Sequence, residues 1–196
     1  MDGMRQRAES GSAQAQFEYA NQLKELGRED EAVQWYEKAG RQGRVDAMYE
    51  AGNYYNNKCR RRDAFKWYKE ASAEEYPAAM YELGNFYMLD WDCLRAVDLY
   101  IKAACKGCAD ALAMLTKLHN KLEEEKNGNI SIFLALPLVC ATAGGASLGN
   151  SLQRRSKANE CSDSDINRAL GTLSKEDRGK LCVKLEDYFQ SNTSLV

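Results

Sequence analysis

An all-α fold, a solenoid of stacked helical hairpins, is what this chain of 196 residues predicts, and three features carry that expectation. Ala15, Ala47, Ala79 and Ala111 stand 32 residues apart, and the same interval separates Ala32, Ala64 and Ala96, and again Tyr36, Tyr68 and Tyr100. A fixed period of this size is the signature of a helical-repeat array. Within each period, small and apolar residues recur at helical spacing in two blocks, as in Tyr81, Gly84 and Tyr87 followed by Ala96, Leu99, Tyr100 and Ala103. Only 2 prolines interrupt a chain that is 44% hydrophobic and 29% charged, the balance of a soluble helical protein with enough apolar surface to fold.

Taken in order, the chain begins inside a repeat. Ala8 and Gly11 lie one period before Gly40 and Gly43, so residues 1–14 form a partial N-terminal unit in which Met4 to Ser10 is a remnant second helix capping the first full hairpin. Three units follow: AQFEYANQLKELGREDEAVQWYEKAGRQGRVD, AMYEAGNYYNNKCRRRDAFKWYKEASAEEYPA and AMYELGNFYMLDWDCLRAVDLYIKAACKGCAD. A fourth begins at Ala111 and supplies a capping helix, so the repeat region spans residues 15–126. Gly27, Gly43 and Gly107 fall where the chain must reverse between helices. Small residues let paired helices approach, and aromatic ones fill the space that stacking encloses.

The order Gly52, Tyr55, Ala64, Tyr68, Ala71, repeated as Gly84, Tyr87, Ala96, Tyr100, Ala103, resembles the tetratricopeptide pattern. The segments WYEKAGRQG, WYKEASAEE and LYIKAACKG, each with an Ala after them, resemble the closing half of Sel-one-like repeats, a close relative. The resemblance covers about residues 4–120. It implies an α-solenoid, and a chain without the longer glycine-rich turn of Sel-one-like units accounts for a period below that family's norm. It also implies that the first helix of each unit lines a concave groove. Three ladders then face that groove: Phe17, Tyr49 and Tyr81; Asn21, Asn53 and Asn85; Glu18, Glu50 and Glu82. These nine residues are the candidate partner-binding positions. Asn amides match the backbone of an extended peptide, the rings pack its side chains, and the glutamates favour a neutral or basic segment. The other reading of the ladders is that they are the packing code of the repeat itself. If the Asn residues are groove residues alone, their removal leaves folding almost unchanged. The Lys-dependent carboxylate clamp of some tetratricopeptide domains is not matched, because Phe17, Tyr49 and Tyr81 occupy its lysine position.

Composition removes other classes. A net charge of -2 gives no basic excess for nucleic acid. Seven cysteines at irregular spacings do not form a paired disulfide framework, and no apolar run follows the N-terminal arginines, so a reducing, cytoplasmic setting is expected. No catalytic constellation, cofactor motif or metal site emerges, and the chain reads as a binding protein and not an enzyme. Cys105 and Cys108 have the C-x-x-C spacing of thiol redox and zinc sites, which keeps a redox or metal-binding protein as the reading from another class. His119 takes the position of Leu23, Tyr55 and Tyr87 and reads as packing.

From Ile130 to Leu148 the chain runs 19 residues without a charge. The segment 127–150 is either a membrane-spanning helix, which would make the protein a membrane-anchored adaptor through residues 130–149, or a packed cover over the open end of the solenoid. Residues 151–196 read as a polar linker and short C-terminal helices, with Ser162 and Ser174 as N-caps and apolar faces at Ile166, Leu170 and Leu173, then Leu181, Leu185 and Phe189.

Overall fold

The computed structural model describes residues 2–126, 166, 169–170 and 173–193. The apolar run at 130–149, the linker after it and Ser162 lie outside the described residues. Nine helices cover most of what is described: α1 Asp2–Glu9, α2 Ala13–Glu25, α3 Glu29–Arg41, α4 Val45–Asn57, α5 Arg61–Ala73, α6 Pro77–Leu89, α7 Cys93–Cys105, α8 Ala109–Lys126 and α9 Lys175–Thr193. Helices adjacent in sequence pack on each other from α1 to α8, most extensively within the pairs α2/α3, α4/α5 and α6/α7. This is the stacked-hairpin solenoid.

The period has a finer grain than 32. From α2 to α8 each helix starts 16 residues after the one before, and α2 to α7 are all 13 residues long. The cause is one turn used throughout. After α2, Arg28 N–H donates to Leu23 O at 2.8 Å and Gly27 N–H donates to Lys24 O at 3.0 Å, the paired bonds of a Schellman C-cap. The same two bonds recur with Gly43, Cys59, Glu75, Trp91 and Gly107 in the central place. That place demands left-handed backbone: φ is +74° at Gly27 and +87° at Gly43, and also +56° at Cys59, +59° at Glu75 and +65° at Trp91. The residue closing one turn opens the next helix, so a three-residue link serves as C-cap and N-cap together. Glu29, Asp30 and Glu31 in the first turn of α3, and Pro77 at the start of α6, favour initiation there.

Alanines at the interhelical contacts, including Ala32, Ala64, Ala71, Ala96 and Ala103, are at most 1% exposed. The core is continuous in two clusters, one from α1 to α6 and one from α6 to α8. Ile166, Ala169, Leu170 and α9 belong to the second cluster, so the C-terminal part folds back on the repeats. There α9 lies against α7 and α8, burying Leu181, Leu185 and Tyr188, and Lys184 reaches Asp98 at 2.6 Å. Ser174 begins α9 as an N-cap: its Oγ accepts from Asp177 N–H at 3.1 Å and donates to Asp177 Oδ2 at 2.7 Å. At 19 residues α9 is longer than the short helix expected there.

Candidate functional site

Every unit builds the same rung between its two helices. Tyr36 Oη donates to Asn21 Oδ1 at 2.6 Å, Tyr68 to Asn53 at 2.8 Å and Tyr100 to Asn85 at 2.8 Å. The tyrosines come from α3, α5 and α7 and are at most 2% exposed. They reach across because the facing residue is small: Ala20, Gly52 and Gly84. A Cβ at Gly52 would stand 2.6 Å from the Tyr68 ring, and one at Gly84 would stand 2.5 Å from Tyr100. The expectation that the Asn ladder is idle in the fold therefore needs correction. Each oxygen is the acceptor for a buried phenol, and losing a buried partner of this kind costs roughly 1–3 kcal/mol.

The aromatic ladder is also set into the units. Phe17, Tyr49 and Tyr81 lie tilted against the tyrosine of their own rung, with centroids 5.8, 6.0 and 5.7 Å apart. Arg44 covers Phe17 at 4.7 Å, and Tyr76, one period on, approaches Tyr49 at 5.2 Å. Tyr49 is buried, while Phe17 and Tyr81 are half-buried. The glutamates have partners of their own: Glu18 accepts from Gln14 at 2.5 Å, Glu50 from Lys24 at 2.6 Å and Glu82 from Asn85 at 3.5 Å. Glu82 and Asn85 are buried, at 7% and 2% exposure. Asn21 and Asn53 differ, being half-buried with no partner among the described residues for their Nδ2 groups. The phenol holds the oxygen of each amide and so fixes which way its two N–H donors face.

Between the first two units the surface dips into a half-open hollow lined by Lys24, Glu29, Tyr36, Glu50, Asn53 and Asn57. Only Glu50 and Asn53 of these were legible as site residues from the ladders. The others, Lys24 and Asn57 at the ends of α2 and α4 and Glu29 and Tyr36 on α3, lie at positions that the ladder pattern does not sample. Burial, then the carboxylates of Glu50, Glu25 and Glu29, pushes the Tyr36 phenol well up from its ordinary value. Negative charge thus gathers at the hollow.

The remaining candidates have structural surroundings. Cys105 ends α7 and is exposed, and Cys108 is half-buried in the next turn, where its N–H donates to Ala103 O at 3.0 Å. Cys93 is buried, which with Asp92 nearby pushes its thiol up to about 11. His119 is half-buried on α8. Among the described residues no group of three or more His, Cys, Asp or Glu is placed to hold a metal ion, and no helix is long and apolar enough to cross a membrane.

Two solved structures resemble this arrangement. One is a protective antigen of uropathogenic Escherichia coli displaying an SLR fold, 26% identical over 64% of this chain with a TM-score of 0.52. The other is a Sel1 repeat protein from Oxalobacter formigenes, 29% identical over 59% of this chain with a TM-score of 0.50. The chain spans 28% of the length of the first and 96% of the second. No family model and no curated protein matches it. Folds of this kind are generally protein–protein interaction scaffolds and typically non-catalytic.

Proposed function

Since the chain is a helical-repeat solenoid of the Sel1-like, tetratricopeptide-like kind, we propose that it is an adaptor that holds an extended segment of a partner protein along the face of α2, α4 and α6. The observation that carries this reading is the pair of oriented amides at Asn21 and Asn53, whose Nδ2 donors have no partner among the described residues while their oxygens are held by Tyr36 and Tyr68. An extended strand has backbone carbonyls with nothing of its own to bond, and two donors at one-unit spacing suit it. Phe17 and Tyr49 pack against the tyrosines that hold these amides, and Glu18 and Glu50 stand three residues before them on the same helices. With Glu50 engaged by Lys24, the acidic ladder contributes orientation more than affinity, and the segment is neutral or basic.

The test uses full-length chain immobilised against a displayed library of unstructured peptides. Selected binders are then measured on Asn21→Asp and Asn53→Asp. Aspartate keeps the acceptor that the tyrosine needs and replaces the donor with a second acceptor, so the rung survives while the contact does not. Each substitution should weaken binding about tenfold, the effect of one hydrogen bond of roughly 1–1.5 kcal/mol. Unchanged affinity in both variants would mean that the partner docks elsewhere.

A further inference from the structure

We infer that α9 is the second helix of a fourth repeat unit opened by α8, and that the repeats and α9 therefore lie on the same side of any membrane the chain meets. The inference concerns the course of the chain and stands apart from where a partner segment binds. Direction is its first support. Lys184 pairs with Asp98 at 2.6 Å, and four residues on, burial and then the nearby Cys105 thiol push the Tyr188 phenol up from its ordinary value. Higher numbers on α9 thus meet higher numbers on α7, so the two helices run parallel. Second helices of successive units must do so in a stack of hairpins, and they touch: a Cβ at Gly40 of α3 would stand 3.0 Å from the Trp67 ring of α5. Packing on both α7 and α8 puts α9 where a fourth second helix belongs.

The burial pattern agrees residue by residue. In α3 and α7, residues 32–39 and 96–103 run buried, buried, exposed, half-buried, buried, half-buried, exposed, buried. Residues 181–188 follow the same order, except that Cys182 is half-buried where Val33 and Val97 are buried. Leu181, Leu185 and Tyr188 thereby take the places of Ala32, Tyr36 and Ala39. The face beneath is suited to a cover. Leu94 and Ile101 of α7 pack against the cluster that holds these three residues, whereas the same places are Arg62 and Lys69 in α5, and Asp30 and Glu37 in α3.

Helix α8 ends at Lys126 and α9 begins at Lys175, so the chain between them is an insertion into the last hairpin, in place of the three-residue link used elsewhere. One bilayer crossing within it would leave α9 on the far side of about 30 Å of hydrocarbon. A 2.6 Å ion pair between α9 and α7 forbids that separation. The 19 uncharged residues from Ile130 to Leu148 are enough for one helical passage and too few for two. The stretch after them carries Arg154, Arg155, Lys157, Glu160, Asp163 and Arg168, so it holds no second run of that length. Anchoring by a single crossing at 130–149 is therefore incompatible with the docked α9.

The test takes the full-length chain, made by cell-free synthesis with and without microsomes. A carbodiimide joins a lysine to a carboxylate only when the two are in contact, so it should link Asp98 to Lys184, and mass spectrometry should find tryptic peptide 96–102 joined to 181–196 in both samples. Protease added outside the microsomes should leave no fragment that becomes digestible only after detergent. Leu181→Asp combined with Leu185→Asp, which strips α9 from its face, should lose the link. A protected fragment containing either the repeats or α9 overturns the shared side. Absence of the link in the wild-type chain, or a link of undiminished yield in the double variant, overturns the docking of α9 as a fourth second helix.

Discussion

Removing a single hydroxyl, by Tyr68→Phe, separates the two jobs of the rung. The ring stays: it packs on Gly52 and lies 5.9 Å from Phe86 across the unit boundary, so no cavity forms. What is lost is the 2.8 Å bond to Asn53 Oδ1. A neutral hydrogen bond contributes about 0.5–1.5 kcal/mol net, and the half-buried Asn53 regains some bonding to water, so destabilisation should be about 1 kcal/mol. For a chain of this size that is a Tm lower by roughly 2–4 °C. Tyr100→Phe should cost more, about 2 kcal/mol, because its acceptor Asn85 is 2% exposed and replaces the bond less readily with water. Asn53→Ala combined with Tyr68→Phe in a double-mutant cycle should return a coupling of about 1 kcal/mol. Urea denaturation followed by far-ultraviolet circular dichroism measures all four. The same Tyr68→Phe protein should also bind selected peptides several-fold more weakly although no contact to the peptide is removed, because the amide is no longer held in one orientation. A Tyr68→Phe chain as stable as wild type, with no coupling to Asn53, would refute the rung as a structural unit and with it the orientation argument.

Three further outcomes follow from the same geometry. Cys59→Gly and Glu75→Gly should each raise stability by about 0.5–1 kcal/mol, since an L-residue in left-handed backbone costs roughly 1–2 kcal/mol and glycine's extra chain entropy returns part of it; Gly27→Ala should do the reverse, and thermal melts decide. Gly52→Ala places a Cβ 2.6 Å from the Tyr68 ring and should destabilise by about 1–3 kcal/mol, which the same melts would show. Burial, then the hydrogen bond to Glu37, pushes the Tyr55 phenol up to about 12, and Tyr36 is raised as well. Raised phenols hold their proton more tightly folded than unfolded, so their contribution is complete below pH about 10 and is lost as pH climbs from there through 12. Denaturant midpoints should fall across that window while phenolate absorbance rises, and a midpoint flat to pH 12 would contradict the burial of these two rings.

The 32-residue interval is legible because residues that must be small or aromatic at a helix contact cannot drift, and Ala64, Tyr68 and Ala71 are all 0% exposed. The 16-residue interval is obscured, although Gly11, Gly27, Gly43 and Gly107 carry it. Cys59, Glu75 and Trp91 fill the other turns, and a side chain gives no outward sign of left-handed backbone. The Asn ladder can be found from spacing but its partner cannot: a tyrosine 15 residues downstream looks like any buried aromatic until the helices are paired. The hollow lies further out of reach, because Lys24 and Glu29 come from two helix ends and meet only after the turn closes. Glu29 and Arg61 stand one period apart with opposite charge, yet nothing in the residue order alone places either of them beside a concavity.

A repeat that copies its packing also copies its grip, and that constrains where selectivity can lie. Asn21 and Asn53 are held alike by Tyr36 and Tyr68, so a backbone bound by one is bound equally well by the other, and a segment held only by such rungs could slide by a unit at no cost. Register has to come from positions where units differ while occupying the same place in space. Few such positions border the ladders, and the change from Glu29, which lines the hollow, to Arg61 one unit on is a reversal of charge among them. One unit presents Glu29 and the next presents Arg61 at the same place in the repeat, so sliding a basic residue from the first to the second would set it against Arg61. Moving the single basic residue of a selected peptide by one position should therefore weaken binding to wild type, whereas on Glu29→Arg the two peptides should bind alike. If both bind alike to wild type, register is set by something other than this charge, and the unit-to-unit difference at the hollow has no part in recognition.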